Sequence, residues 1–176
     1  MANTDNPHGF FPCGHMFGVQ EEVEPLSKVV GYGTAIFKYD VVHRVGDGSI
    51  EAAGTNFTPG TTAMSGVALN HGAASTATSH FVVVDPFCVF EAQDNNDTDG
   101  IAAADLGLNI NLEANAGDAN SKVSGHELDE STANTTSTLD LHLRRLFPIS
   151  GNAHGSFARI EVISNRHRQH SLIAGV

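Results

Sequence analysis

Tryptophan is missing from this chain, and tyrosine occurs only at Tyr32 and Tyr39. Carbohydrate sites commonly lay the sugar on a broad aromatic face, so this scarcity argues against a sugar-binding module. Cationic side chains are scarce too. Nine Lys and Arg stand against twenty Asp and Glu, for a formal net charge of −11. A nucleic-acid binder neutralises phosphates with a positive surface, so no nucleic-acid partner is expected. A negative exterior instead keeps many copies soluble and mutually repelling. The two cysteines, Cys13 and Cys88, are too few for a disulfide framework. Buried free thiols are the expected state, with a single bridge as the alternative. No apolar run approaches the roughly 18 residues of a membrane helix, and no basic stretch leading into an apolar one opens the chain. The expectation is therefore no membrane partner and synthesis in a cytoplasm.

Helical periodicity is also in short supply. Charged residues are only 16%, and Glu, Lys, Leu and Ala do not recur at 3.6 spacing. An apolar fraction of 40% nonetheless matches a folded globular chain rather than a disordered one. What fills the sequence is strand and turn chemistry. Ser79 to Gly100 (SHFVVVDPFCVFEAQDNNDTDG) holds two β-branched and aromatic runs, Phe81–Val84 and Phe87–Phe90, interrupted by Asp85-Pro86. Such runs between turn signals read as strands buried on both faces, and the two are expected to form a central pair. Thr34–Val45 and Ser49–Ala52 flank Gly46-Asp47-Gly48, the sequence form of a tight hairpin. Ala63–Asn70, Leu108–Glu113, Lys122–Leu128, Ser137–Phe147 and Phe157–Ile163 supply further strands. In Ser137–Phe147, Leu139, Leu141 and Leu143 alternate with Asp140, His142 and Arg144, which makes it the clearest amphipathic strand. Ser131–Thr136 reads as a polar connection. Ile101–Leu106 reads as one helical turn capped by Asp99 with Gly107 past its end.

Short strands at such spacing predict an all-β fold, a single β-barrel or β-sandwich (jelly-roll-like) domain of short antiparallel strands. The expected division is an N-terminal arm over residues 1–30, the β domain over 31–170 and a tail over 171–176. The arm carries Phe10, Phe11, Met16 and Phe17, and Gly9, Pro12, Gly14 and Gly18 break any strand or helix periodicity through it. Two fates stay open for it: folding back on its own domain, or docking on a neighbouring subunit. Bare phenylalanines on a free monomer are an aggregation hazard.

Candidate chemistry is thin. Asn95, Asp97, Asp99 and Gly100 fall at the first, third, fifth and sixth places of a calcium loop, but Leu106 takes the place of the closing carboxylate. An acidic turn is the expected reading, with no metal and no cofactor. The ten histidines are scattered, and His126 and Glu127 point to opposite faces of a strand. No G-x-S-x-G elbow or phosphate-binding loop occurs, so no catalytic residues are expected and the chain is not read as an enzyme. Arg144-Arg145 sit in an alternating strand, so one of them is expected to be free for an intersubunit ion pair. Arg166, His167 and Arg168 form the one basic patch, suited to an acidic neighbour or simply to solvent.

Several blocks together resemble tailed-bacteriophage head structural proteins of the capsid decoration (cement) type. They are GVALNHGAAS (Gly66–Ser75), FVVVDPFCVFEAQDNNDTDG (Phe81–Gly100), GLNINLEANAG (Gly107–Gly117), HELDEST, TLDLHLRRL and GNAHGSFARIEVISNRHR (Gly151–Arg168). The resemblance spans about residues 32–170 and rests on the order and texture of the blocks, while the first 30 residues match nothing nameable. It implies a structural virion protein on the outside of a phage head, made in the host cytoplasm. The implied partners are the major capsid protein and further copies of itself, a homo-oligomer with a trimer favoured. It transfers no site residue. Capsid or subunit contacts are expected from Phe10, Phe11, Phe17, Arg144, Arg145, Arg166 and Arg168. A receptor- or carbohydrate-binding β module of a tail or fibre is the alternative.

Overall fold

Asp85-Pro86 turns the chain from one sheet into another. The computed structural model describes residues 3–54 and 56–169; the tail expected over 171–176 and the histidine at 170 lie outside the described residues. Strands β1 (Phe11–His15), β7 (Cys88–Gln93), β11 (Arg159–Ser164), β10 (Leu141–Leu146), β8 (Asn109–Glu113) and β9 (Glu127–Asn134) form, in that spatial order, a six-stranded sheet. Strands β2 (Val23–Lys28), β6 (Thr78–Val83), β5 (Gly66–Ala68), β3 (Val41–Arg44) and β4 (Ile50–Ala52) form a five-stranded sheet. Every pairing between these strands is antiparallel. The all-β, two-sheet architecture is the expected one.

The two runs of the central stretch are not a pair. β6 and β7 lie in different sheets, each one strand in from an edge. β7 is buried along its whole length, as a strand covered on both faces should be, whereas Phe81 in β6 is 58% exposed. The two sheets share one core, in which Phe90, Ala92, Ile110, Leu112, Leu141, Leu143, Ile160 and Val162 meet Val41, Val67 and Val83. A second cluster takes the other side chains of the five-stranded sheet, Leu26, Val42, Ile50, Ala68 and Val82, and packs them against Tyr32 and Ile36. Val82 and Val83 are neighbours in β6 but serve different clusters, because successive side chains in a strand point to opposite faces. That is why Val82 and Val83 are both buried although they are adjacent in sequence. The six-stranded sheet curls until Asp94, just past β7, bridges Leu128 in β9, with Asn95 N donating to Leu128 O at 3.0 Å.

Residues 3–30 depart most from expectation. They are not irregular: β1 pairs with β7 and β2 with β6. They fold back on their own domain. The prolines and glycines that argued against strands sit where edge strands tolerate them. Pro12 and Pro25 lie on outer strands, where one missing N–H breaks no interior ladder. The pairing of β1 shifts register between Pro12 and Gly14, a bulge. Before β1 the chain is clamped at Gly9, whose φ of 74° suits glycine and where a Cβ would stand 2.4 Å from that of Ser124. Phe10 follows, fully buried, with its N donating to Tyr39 O at 3.0 Å.

In one smaller correction backbone pairing overrides polar composition. Ser131–Asn134, read as connection, belongs to β9, while Lys122–His126 precedes that strand. The helical turn is a 3-10 turn at Ala103–Asp105, and Asp105 rather than Asp99 accepts from the Ala102 N–H, at 2.8 Å. The Asp-Gly hairpin forms as expected between β3 and β4, with Gly48 N donating to Val45 O at 3.0 Å.

Candidate docking surface

The chain crosses between the sheets twice at one corner. Residues 16–22 carry it from β1 to β2, and residues 84–87 carry it back from β6 to β7. Val84 N donates to Glu22 O at 3.0 Å, and Met16 N to Phe87 O at 3.1 Å. A side-chain pair joins the two crossings. His15 Nδ1 accepts from Phe17 N at 3.0 Å, so its proton sits on Nε2, which faces Asp85 Oδ2 at 3.0 Å. The other carboxylate oxygen of Asp85 accepts from Phe87 N at 2.8 Å. Asp85 and His15 thereby fix the backbone of both phenylalanines. The ring of Phe17, 67% exposed, meets that of Phe87 edge-on with centroids 5.2 Å apart. Met16 and Val19 extend this exposed apolar corner.

The predicted contact residues scatter rather than converge. Phe10 is core. Phe11 sets its half-exposed ring edge-on against Tyr39, at 5.3 Å. Only Phe17 lies on the corner, and its partner Phe87 was read in the sequence as strand interior. The heteroatoms of Asp85 and His15 gave no signal, because their pairing depends on two crossings far apart in sequence.

The arginines are engaged within the chain. A bulge between Leu143 and Arg145 breaks the alternation of β10. Both arginines therefore reach one carboxylate: Arg145 grips Glu161 through two 2.8 Å hydrogen bonds, and Arg144 lies 3.6 Å from it. The expectation that one would face away for another subunit assumed unbroken alternation. Arg166 donates to the carbonyls of Gly60, Thr61 and Thr138, and Arg168 to that of Arg44 at 3.3 Å. These bonds fix the 58–62 loop and the region after β11 to the body.

Two polar features lie away from this corner. The outer face of β7 carries Glu91, fully buried, held by Arg159 at 2.6 and 2.9 Å and by His8 Nε2 at 2.6 Å. Burial works against ionisation there, yet the Arg159 and His8 bonds outweigh it and hold Glu91 below the usual carboxylate range. For His8, burial opposes protonation and the Glu91 bond and charge overcome it, so its pKa is raised. A cleft of about 330 Å³ beside this pair is lined by Asn3, Gln93 and Asn152. Their amide nitrogens donate to the carbonyls of Ala153, Ser156, Thr4, Phe157, Phe147 and Arg159. The cleft is thus a clasp that pins the chain before β1.

The acidic loop is likewise self-contained. Glu130 accepts from Asp97 N at 3.0 Å, from Thr98 Oγ1 at 2.7 Å and from Thr98 N. Gly100 is needed because its backbone lies against Gly155, whose carbonyl carbon a Cβ would meet at 2.2 Å. Buried Asp94 beneath it is pushed up to about 7 by burial and by the Glu130 charge. Among the described residues, no three His, Cys, Asp or Glu side chains are grouped to hold a metal ion. Cys13 and Cys88 are free thiols, and burial pushes Cys13 up to about 12. No helix among the described residues is long and apolar enough to cross a membrane. No protein-family model, curated protein or solved structure matches this chain.

Proposed function

We propose that this chain is a structural virion protein, a decoration protein that binds the outside of a phage head and braces contacts between major capsid protein subunits. The observation that carries the reading is the Phe17–Phe87 corner: an exposed aromatic pair held rigid on a two-sheet body. A contact group fixed before docking loses little conformational freedom on binding, so more of its buried area appears as affinity. The chain's net charge of −11 suits a molecule displayed in many copies. The protein acts without chemistry, by adding buried area across joints. As a homo-oligomer, a trimer by the resemblance, it multiplies that area by its valence. The amides of the polar cleft are spent on the chain's own carbonyls, which favours this reading over a sugar-binding one.

Heads prepared without the chain and heads saturated with it provide the test. Decorated heads are expected to retain their DNA to higher temperature. Equal heat resistance, with the chain bound, sinks the bracing role; absence of binding sinks the reading altogether.

A further inference from the structure

We infer that the Phe17–Phe87 corner docks into an apolar recess rimmed by lysine or arginine, on a protein other than a second copy of this chain. This names the partner chemistry of the surface just proposed and rests on that reading.

Three observations carry it. The first is shape. Phe17 projects from a corner pinned by Asp85 and His15, so it meets its partner as a preset knob. The sheet edges beside it are poor templates for strand addition, since β1 carries Pro12 and a bulge and β2 carries Pro25. The contact is therefore made by side chains rather than by an added strand.

The second is charge. Before Lys28 the chain has no Lys or Arg at all, while Glu21, Glu22 and Glu24 follow Phe17 directly. Lys28 is itself buried, its Nζ donating to Ala73 O at 2.6 Å. Glu24 meets Arg44 at 3.7 Å, but Glu21 and Glu22 form no salt bridge among the described residues. An apolar knob with a carboxylate border complements an apolar recess with a cationic border.

The third concerns the alternative occupant. A symmetric contact between two copies sets the same patch against itself, which places Glu21 and Glu22 of each copy against those of the other. A head-to-tail contact needs free cations elsewhere on the chain. Arg144, Arg145 and Arg159 are paired with Glu161 and Glu91, and Arg44 lies 3.7 Å from Glu24. Lys38 and Lys122 form no salt bridge among the described residues, so unlabelled chain is the probe that decides against a head-to-tail contact, and the cationic rim is assigned to another protein.

The test uses the full chain, ¹⁵N-labelled, with three defined probes: an amphipathic peptide of leucines bordered by arginines, its glutamate-bordered twin, and unlabelled chain. The arginine-bordered peptide is expected to shift the amides around Phe17, Glu21, Glu22 and Phe87, and the glutamate-bordered one to leave them unmoved. Phe17→Ser should weaken the arginine-bordered peptide about tenfold, in the range of a buried aromatic anchor. Glu21→Gln with Glu22→Gln should weaken it less and flatten its salt dependence. Corner shifts with unlabelled chain, or equal response to both peptides, overturn the inference. Undecorated heads then separate the two claims. Heads that bind Phe17→Ser as tightly as the parent chain overturn the docking corner and leave decoration standing. Heads that bind neither overturn decoration, and the peptide result still decides the chemistry of the corner.

Discussion

Phe10 and Phe17 belong to one short segment and meet opposite fates. Phe10 fills the shared core, so Phe10→Ala should cost about 3–5 kcal/mol in urea unfolding, the usual range for a buried phenylalanine. Phe17→Ser, at an exposed site, should stay within about 0.5 kcal/mol. Equal losses for the two would mean that the corner is part of the core. Asp94 provides the pH test. Its folded pKa is raised from 3.8 to about 7. Below the lower value both states are protonated; between the two, the unfolded chain ionises while the folded one holds its proton. Stability from this residue is therefore full at low pH and is lost as pH rises through that window. Asp140, pushed up to about 6, and Glu127, pushed up to about 7, act in the same direction, burial being the largest cause for each. Histidines 43, 80, 126 and 142 act oppositely: burial lowers their pKa values, so their contribution falls as the solution is acidified below 6.5. Asp94→Asn keeps an acceptor for Phe157 N and removes the buried charge. Its thermal midpoint should exceed the parent's at pH 8 by the equivalent of about 3–4 kcal/mol and approach it near pH 4. A gain independent of pH would contradict the buried-charge account.

At the scale of strands, Glu91 and Glu161 stand directly opposite each other across β7 and β11, a like-charge pairing that costs stability unless each has its own cation. Arg159 serves one and Arg145 the other. Arg159→Ala strands a fully buried carboxylate and should cost about 3 kcal/mol or more. Arg145→Ala, which removes a 64% exposed side chain while Arg144 remains near Glu161, should cost much less, since solvent screens the pair. Chemical denaturation of both variants checks the order, and a reversal would show the Glu91 site to be open to water. The N-terminal strands make a second element-scale prediction. Amides of β1 and β2 that pair with β7 and β6 should exchange slowly with solvent deuterium; exchange at the rate of a free arm would show that the segment detaches. Much of the β domain was legible from residues alone. Leu139, Leu141 and Leu143 alternate into the core, and Gly46-Asp47-Gly48 makes its hairpin, because both depend on local periodicity and turn geometry. The N-terminal strands were illegible because Pro12, Gly14 and Pro25 break the local pattern, and only partners about fifty to eighty residues along the chain supply the pairing that overrides it. The docking corner was half legible: Phe17 stood out as an apolar residue among glycines, while Phe87 looked like strand interior until the inter-sheet crossing exposed it.

At the scale of the whole molecule, two sheets share one core, the chain before β1 is clasped to the body, and the crossing between sheets presents the Phe17–Phe87 pair. That combination describes a body that changes little when it binds. On the proposed reading, this corner seats the protein on a head, at a joint between coat subunits. A cryo-EM map of the decorated particle decides it. Density is expected for the two-sheet body over coat joints, with Phe17 and Phe87 buried against a coat surface bearing lysine or arginine beside Glu21 and Glu22. A body bound with that corner turned to solvent, or a shell carrying no such density, would contradict it.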